Sequence, residues 1–278
     1  MGKHVLTGFD SAWTRGNRGA VVSLITEDGQ HRIVGPDSAS FDEAVEHVRA
    51  VTQGADLHAL AIDQPLIVNN DARRRPVEDV VAHVMGRFGS AVQPANRSKD
   101  SMFGTNAPIW SCLDAFRNMG FTHNHHAEDR VNASGRFFFE VYPALGNLGL
   151  FPVFYRRGMV PRYNPDRRRT FNLQDWRLLI DAVIDFLGRH GAACAWLSTA
   201  RALVAPRKQV QDRLDSVICL CHAIAWTAGE PALIVGDMTS GYMVVPSHDE
   251  LTSFLITHAN THGVTVLRPF AARVLRPS

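Results

Sequence analysis

At 278 residues the chain can form one large domain or two small ones, and its 45% hydrophobic and 20% charged residues are ordinary for a globular protein. The 29 Lys and Arg nearly balance the 27 Asp and Glu. The resulting net charge of +2 excludes a globally basic surface, so any polyanion-binding site must be local. No run approaches the roughly 20 apolar residues of a membrane span.

The start of the chain is not typical of an exported protein. The opening MGKHVLTGFD is interrupted by Asp10 before an apolar segment reaches the length of a signal peptide. The four cysteines form no CxxC pair, and Cys219 and Cys221 lie together in an apolar stretch. We expect reduced, buried cysteines and a cytoplasmic protein.

The first 63 residues predict a three-stranded antiparallel meander followed by a crossover. Apolar runs separated by turn residues predict strands at 4–9, 19–25, 31–35 and 57–62. Ser40 and Glu43 form a capping box that begins a helix before the fourth strand. Since a strand, helix and strand in this order form a right-handed crossover, strands one and four should be parallel. Asp10 and Asp63 then lie at the same edge of the sheet.

The remainder is less regular until residue 135. We predict helices at about 76–86, 173–190, 209–228 and 249–260, and strands at 135–143 (GRFFFEVYP), ALIVG, GYMVVP and VTVLRP. No repeat or linker divides the chain. We therefore expect a single domain over residues 1–278, with a long insertion at about 64–135 and a C-terminal extension at about 247–278.

Three acidic residues stand at or near the ends of predicted strands. They are Asp10, Asp63 and Glu140. An aspartate in a strand-terminating turn is common, so either aspartate alone carries little weight. The carboxyl ends of strands in open α/β sheets are, however, where ligands bind.

The helix predicted at 209–228 carries a second pair of acids. Asp212 and Asp215 are spaced i and i+3, so they share a face that continues into Ser216, Cys219 and His222. Aspartates in a first turn are favoured by the helix dipole, but only by about 0.3–1 kcal/mol. The helix dipole does not explain why two aspartates lie on one face of the helix next to the core.

Carboxylates gathered in this way are stable only when cations neutralise them. Ligands that are all oxygen suit Mg²⁺ or Mn²⁺, and two such ions can activate a water and stabilise the leaving oxygen in phosphodiester cleavage. The meander, crossover, fourth and fifth strands and late acidic helix together match a ribonuclease-H-like arrangement.

The chain also resembles domain-of-unknown-function family 429, whose members are predicted ribonuclease-H-like nucleases. The matching fragments, in order, are GFDSAW (8–13), IDQP (62–65), RPVE (75–78), VQPANRS (92–98), FEVYPAL (139–145), QDRLD (211–215) and GYMVVP (241–246). Each fragment alone is weak, whereas the ordered set is specific.

The resemblance implies a mixed five-stranded sheet in the order 3-2-1-4-5, flanked by helices. It implies metal binding at four positions, Asp10, Asp63, Asp212 and Asp215. The fifth strand would lie beside the fourth, which would put Glu140 near Asp63 as an aid to one ion.

We therefore predict a metal-dependent nuclease that hydrolyses nucleic acid with two Mg²⁺ or Mn²⁺ ions. Asp10, Asp63 and Asp215 would bind the ions directly, and Asp212 would complete the second site or orient a water. One alternative is a hydrolase or transferase acting on small phosphorylated metabolites with the same metals. The other is a non-catalytic binding module that keeps the fold.

Arginine-rich loops are candidates for phosphate contact, although charge runs are more often solvated. They are Arg73–Arg75, Arg156–Arg157 and Arg167–Arg169, with Phe154, Tyr155 and Tyr163 as aromatic residues that could stack on bases. HNHHAED (123–129) matches no zinc spacing and is expected to be a polar loop. His222 is expected to be a packing residue.

Overall fold

The computed structural model describes residues 2–123 and 134–269 and has a central six-stranded sheet. The strands are β1 (Lys3–Asp10), β2 (Gly19–Glu27), β3 (Gln30–Ala39), β4 (Ala55–Asp63), β5 (Thr122–His123) and β6 (Gly135–Glu140). Their spatial order is β3-β2-β1-β4-β6-β5. The meander β1–β3 is antiparallel, and the pairs β1–β4, β4–β6 and β5–β6 are parallel.

The predicted five-stranded sheet is therefore corrected to six strands. The five predicted strands occur in the predicted order, since the strand at residue 135 lies beside β4. The additional strand, β5, has two residues and lies at the edge of the sheet. It lies within the segment predicted as an insertion, where two residues give no periodic signal.

Ten helices surround the sheets in the part of the chain that the structure describes. They are α1 (Phe41–Thr52), α2 (Pro76–Arg87), α3 (Asp100–Phe103), α4 (Pro108–Asn118), α5 (Pro143–Leu150), α6 (Pro152–Arg157), α7 (Leu173–Arg189), α8 (Ala195–Ala202), α9 (Lys208–Thr227) and α10 (Asp249–His262). The capping box predicted at Ser40 and Glu43 begins α1, whose apolar face is buried.

A second, smaller sheet is formed near the C-terminus. Its strands are β7 (Ala232–Asp237), β8 (Gly241–Pro246) and β9 (Val266–Leu267), in the antiparallel order β8-β7-β9. The sequence predicted these strands but not their separation from the main sheet. The single-domain assignment stays a prediction.

Helix α9 forms the centre of the core. It packs on β1, β2 and β4, and nearly every residue from Gln211 to Trp226 is buried. The face that Asp212 and Asp215 share is therefore buried along the helix, because Cys219 and His222 are as buried as the leucines. No helix in the described residues has both the length and the apolar character needed to cross a bilayer.

Only the first residue of the histidine-rich segment 123–129 belongs to the part of the chain that the structure describes. His123 is in β5 and lies 3.2 Å from the hydroxyl of Tyr242 through its Nδ1. Residues 124–129 lie outside the described residues.

Candidate metal centre

Three acidic residues end three neighbouring parallel strands. Asp10 is the last residue of β1, Asp63 of β4 and Glu140 of β6. Asp10 is the register partner of Asp63, so both side chains leave the same face of the sheet. Glu140 is one residue out of this register, because its partner on β4 is Ile62, so alternation directs its side chain to the opposite face of the sheet.

A close contact between β1 and α9 brings the helical acids to this edge. Gly8 shares the face of Asp10, two residues along β1. A Cβ atom at Gly8 would lie 2.1 Å from the carbonyl oxygen of Ser216 and 2.2 Å from the amide nitrogen of Leu220. The helix axis can approach the strand this closely only because residue 8 has no side chain.

The helix dipole does not account for the two aspartates of α9. The helix begins at Lys208, and its first turn contains no acidic residue. Asp212 and Asp215 therefore lie in the second turn, where the dipole has largely faded. Both are buried.

Three aspartates form a group that could bind a metal ion. One carboxylate oxygen from each of Asp10, Asp212 and Asp215 lies within 4.8 Å of the other two. All three are at most 7% exposed. Asp63 is outside this triad but adjoins it, since the charge of Asp215 raises the pKa of Asp63 and the charge of Asp63 raises the pKa of Asp10.

Burial and mutual repulsion disfavour negative charge at this edge. Burial, followed by the charges of Asp215 and Asp63, raises the pKa of Asp10 well above its ordinary value. Burial and Asp215 do the same to the pKa of Asp63. Burial raises the pKa of Asp215 to about 6, despite opposing contributions from Lys208 and two hydrogen bonds. A divalent cation would remove this electrostatic cost.

Lys208 provides the neighbouring positive charge. Its Nζ forms an ion pair with Oδ1 of Asp212, four residues later on α9. Burial lowers the pKa of Lys208, but Asp215 and Asp10 outweigh that effect and leave the pKa raised. Its charge also lowers the pKa of Asp10, Asp63 and Asp215. One ammonium thus faces four carboxylates.

Two further side chains fix the orientation of Asp215. The hydroxyl of Tyr163 donates to Oδ1 at 2.6 Å, and Nε2 of Gln211 donates to Oδ2 at 2.7 Å. Tyr163 comes from the loop before α7 and is buried. Each carboxylate oxygen keeps a second lone pair that can face an ion.

Glu140 belongs to a separate buried ionic network. Arg75 donates from Nη2 to Oε1 of Glu140 at 2.6 Å and from Nη1 to Oε2 at 2.9 Å. The backbone amide of Leu66 donates to Oε2 at 2.9 Å. Glu78 accepts from Nε of Arg75 at 2.8 Å. The charge of Glu140 nevertheless raises the pKa of Asp63. The role of Glu140 as an aid to one ion stays a prediction.

Three of the candidate phosphate-binding and stacking residues are engaged elsewhere. Arg75 is fully buried with the two glutamates, and Arg157 forms a bidentate pair with Asp175 at 2.6 and 2.9 Å. Phe154 is buried in the core, so its predicted role in stacking on bases is wrong. His222 is buried against Gly146, as expected of a packing residue.

Two cavities meet at the acidic edge. The larger, about 730 Å³, is lined by three of the aspartates together with cationic and aromatic residues, namely Asp10, Asp63, Asp212, Lys208, Arg18, Arg167 and Trp13. The smaller, about 260 Å³, contacts Asp63 and Asp215 and is lined by Asn147, Arg162, Tyr163 and Arg167, among others. Arg167 therefore borders both cavities.

Three residues of this site were missed in the sequence. The i, i+4 spacing of Lys208 and Asp212 is a helical ion-pair signal, and Gln211 and Asp215 have the same spacing. Both pairs could have been found. The sequence predicts only base stacking for Tyr163, since no local pattern links it to a residue 52 positions later.

The architecture defines a mixed α/β protein in which a mostly parallel sheet, flanked by helices, carries a buried acidic triad that could bind metal. The family described as Protein of unknown function (DUF429) matches residues 8–240. The chain therefore belongs to this family. No curated protein and no solved structure matches it.

Proposed function

We propose that this chain is a ribonuclease-H-like, metal-dependent nuclease. The observation that carries the proposal is the triad of Asp10, Asp212 and Asp215, with ligand oxygens within 4.8 Å of one another and Asp63 beside it. The triad comes from a strand and a helix far apart in sequence, and both aspartate-bearing strand ends belong to parallel strands. This is the arrangement expected of the ribonuclease-H-like class.

The donor set fits Mg²⁺ or Mn²⁺. All of the proposed ligands are carboxylate oxygens, which hard divalent cations prefer. Asp10, Asp215 and Asp63 would bind the ions, and Asp212 would complete the second site or orient a water. Bound there, two ions would supply an activated water and stabilise the leaving oxygen.

The protein's own residues would orient the ligands and the substrate. Tyr163 and Gln211 restrict Asp215 to one rotamer, so the carboxylate needs little reorganisation. Lys208 pairs with Asp212 and is still 45% exposed, so its ammonium can also meet a phosphate oxygen. Glu140 forms a buried ion pair with Arg75, next to the aspartates.

The larger cavity supports nucleic acid as the substrate. Arg18, Arg167 and Lys208 add positive charge around it, although Arg18 also pairs with Glu43. Trp13 borders the same space with a positive φ of 60°, a backbone conformation that is uncommon outside glycine and concentrates at functional sites. Cations together with an aromatic ring are the usual means of holding a single strand.

The smaller cavity favours a second candidate, a hydrolase of small phosphorylated metabolites. Its volume is about 260 Å³, and both Arg162 and Arg167 border it next to Asp215. Such a space suits one phosphorylated group better than a continuous strand.

A cleavage screen with Mn²⁺ separates these candidates. The substrates should include single-stranded DNA and RNA, duplex, hybrid and branched nucleic acids, and p-nitrophenyl phosphate. We expect cleavage of at least one nucleic acid, loss of that cleavage in Asp10→Asn and Asp215→Asn, and no hydrolysis of the phosphate monoester.

The matched control is Asp185→Asn, which changes an exposed aspartate on α7. It should cleave as the wild type does. Cleavage that survives both site variants would exclude these aspartates as metal ligands. Hydrolysis of the monoester alone would support the metabolite enzyme, and metal binding without any hydrolysis would support a binding module.

A further inference from the structure

We propose a second metal site, made of imidazoles and selective for zinc-like transition ions, between helices α2 and α10. His83 lies on α2, and His258 and His262 lie on α10. This cluster is separate from the aspartates, and its chemistry does not depend on the function proposed above.

The His83 ring lies at the distance expected of a shared ion from each of the two rings on α10. The centroid of the His83 ring lies 5.1 Å from that of His258 and 4.8 Å from that of His262. Zinc binds imidazole nitrogen at about 2.0–2.1 Å, and the ring centre lies about 1.1 Å farther out, so two imidazoles on one tetrahedral ion have centroids about 5 Å apart. Both measured separations agree with this value.

The backbone supports the same arrangement. His258 and His262 are four residues apart on one helix, so they share a face, which is the spacing of paired histidine ligands in helical zinc sites. Helices α2 and α10 pack directly on each other, which fixes the position of His83 opposite that pair.

The hydrogen bond of His83 prepares one nitrogen as a ligand. Its Nδ1 lies 2.8 Å from the carbonyl oxygen of Asp79. Because a carbonyl only accepts, Nδ1 must carry the proton, and Nε2 keeps its lone pair. Zinc-binding histidines commonly donate their other N–H to a carbonyl or carboxylate in this way.

The rings of His258 and His262 must turn to bind an ion, while that of His83 keeps its hydrogen bond to Asp79. The planes of His83 and His258 are nearly parallel, at 22°, and within the described residues only the three aspartates have ligand atoms mutually within 4.8 Å. His262 is exposed and turns freely, whereas His258 is half-buried and turns against an edge-to-face contact with Phe254 at 4.6 Å. Three imidazoles leave a fourth position for water.

The ligand class differs from that of the aspartate site. Imidazole nitrogen suits Zn²⁺, Ni²⁺ and Cu²⁺, whereas Mg²⁺ and Mn²⁺ prefer carboxylate oxygen. An ion at the imidazoles would join α10 to α2, the helix that begins next to Arg75. The site would therefore stabilise the C-terminal part of the fold.

The test is a Zn²⁺ titration of the full chain by calorimetry, with thermal unfolding as a second readout. The variants are His83→Ala, His258→Ala and His262→Ala, and His4→Ala is the control because His4 is an exposed histidine on β1. We expect Zn²⁺ to raise the melting temperature of the wild type. Each cluster variant should weaken one zinc site by about tenfold or more, and His4→Ala should leave it unchanged.

Asp10→Asn should keep this zinc site, which separates it from the aspartates. The proposal is overturned if the wild type binds no Zn²⁺. It is also overturned if zinc affinity is the same in the wild type and in His258→Ala, as it would be for an ion held by the aspartates or by residues 123–126.

Discussion

Lys208 and the four aspartates around it determine the charge of the candidate site. The ammonium of Lys208 forms an ion pair with Asp212 and lowers the pKa of Asp10 and Asp215. It therefore supplies part of the neutralisation that a metal ion would complete, and it competes electrostatically with that ion.

Replacing Lys208 should tighten metal binding. In Lys208→Gln the carboxylates lose their neighbouring cation, so we expect the Mn²⁺ dissociation constant to fall severalfold in calorimetric titrations. Cleavage should weaken at the same time if the ammonium contacts a phosphate. Unchanged or weaker Mn²⁺ binding would show that Lys208 does not compete with the ion.

The raised pKa of Asp215 predicts a pH dependence of stability without metal. Since the folded state holds the proton up to about pH 6 and the unfolded state only up to about 3.8, the contribution of Asp215 to stability is complete below pH 3.8 and is lost as the pH rises through 6. The predicted loss is on the order of 3 kcal/mol.

Asp215→Asn removes this loss. In the presence of EDTA, urea unfolding should show the variant gaining stability relative to the wild type between pH 4 and about pH 7. A stability difference that stays constant over this range would contradict the pKa shift.

The convergence of the acids could be predicted from the sequence, whereas their surroundings could not. Asp10 and Asp63 follow apolar runs, and the parallel pairing of their strands follows from the crossover, so their common edge was predictable. Arg75 lies in an irregular loop, and its pairing with Glu140 spans 65 residues. No periodic pattern encodes such a contact, so the sequence alone leaves Arg75 as a candidate for phosphate binding.

The contact between β1 and α9 is the element-scale feature on which the site depends. Gly8→Ala would place a methyl group 2.1 Å from a backbone oxygen of α9. Relieving this clash requires the backbone of the strand or of the helix to move. We expect a loss of about 1–3 kcal/mol in the free energy of unfolding and weaker Mn²⁺ binding, because α9 must move away from Asp10.

Gly86→Ala is the matched control for this substitution. Gly86 lies in α2, and a Cβ there would meet no atom within 4 Å. Its free energy of unfolding should be unchanged or should rise by about 0.5–1 kcal/mol, since alanine favours the helix. A Gly8→Ala protein that is as stable as this control would refute the close contact.

The buried network around Arg75 connects the insertion to the sheet. Arg75→Met would leave Glu78 and Glu140 buried without their counter-ion, so we expect a loss of about 3–5 kcal/mol in urea unfolding. The neighbouring Arg74 is exposed and lies 3.9 Å from Asp79. Arg74→Met should change stability by no more than about 0.5 kcal/mol, and equal effects of the two substitutions would contradict the network.

The elements were predicted most accurately where their periodicity was strong. Helix α1 begins at its predicted capping box, and helices α7 and α9 lie within one or two residues of their predicted bounds. Pairing between distant segments, by contrast, determines the bounds of the two-residue strands β5 and β9 and the separation of the second sheet. Such pairing is set by tertiary packing rather than by local sequence.

For the whole molecule, the fold gathers carboxylates from β1, β4 and α9 at one edge, beside cavities bordered by cations. The buried charge is costly in the absence of an ion, so binding of a divalent cation should be strong enough to measure and should stabilise the folded chain. This property is common to the nuclease and to the metabolite hydrolase.

The most direct measurement is a calorimetric Mn²⁺ titration of the wild type, Asp10→Asn, Asp215→Asn and the control Asp185→Asn. We expect binding in the wild type and the control, and its loss in the two site variants, which should remain folded. Equal Mn²⁺ affinity in all four proteins, or no binding in the wild type, would contradict a metal centre at these aspartates.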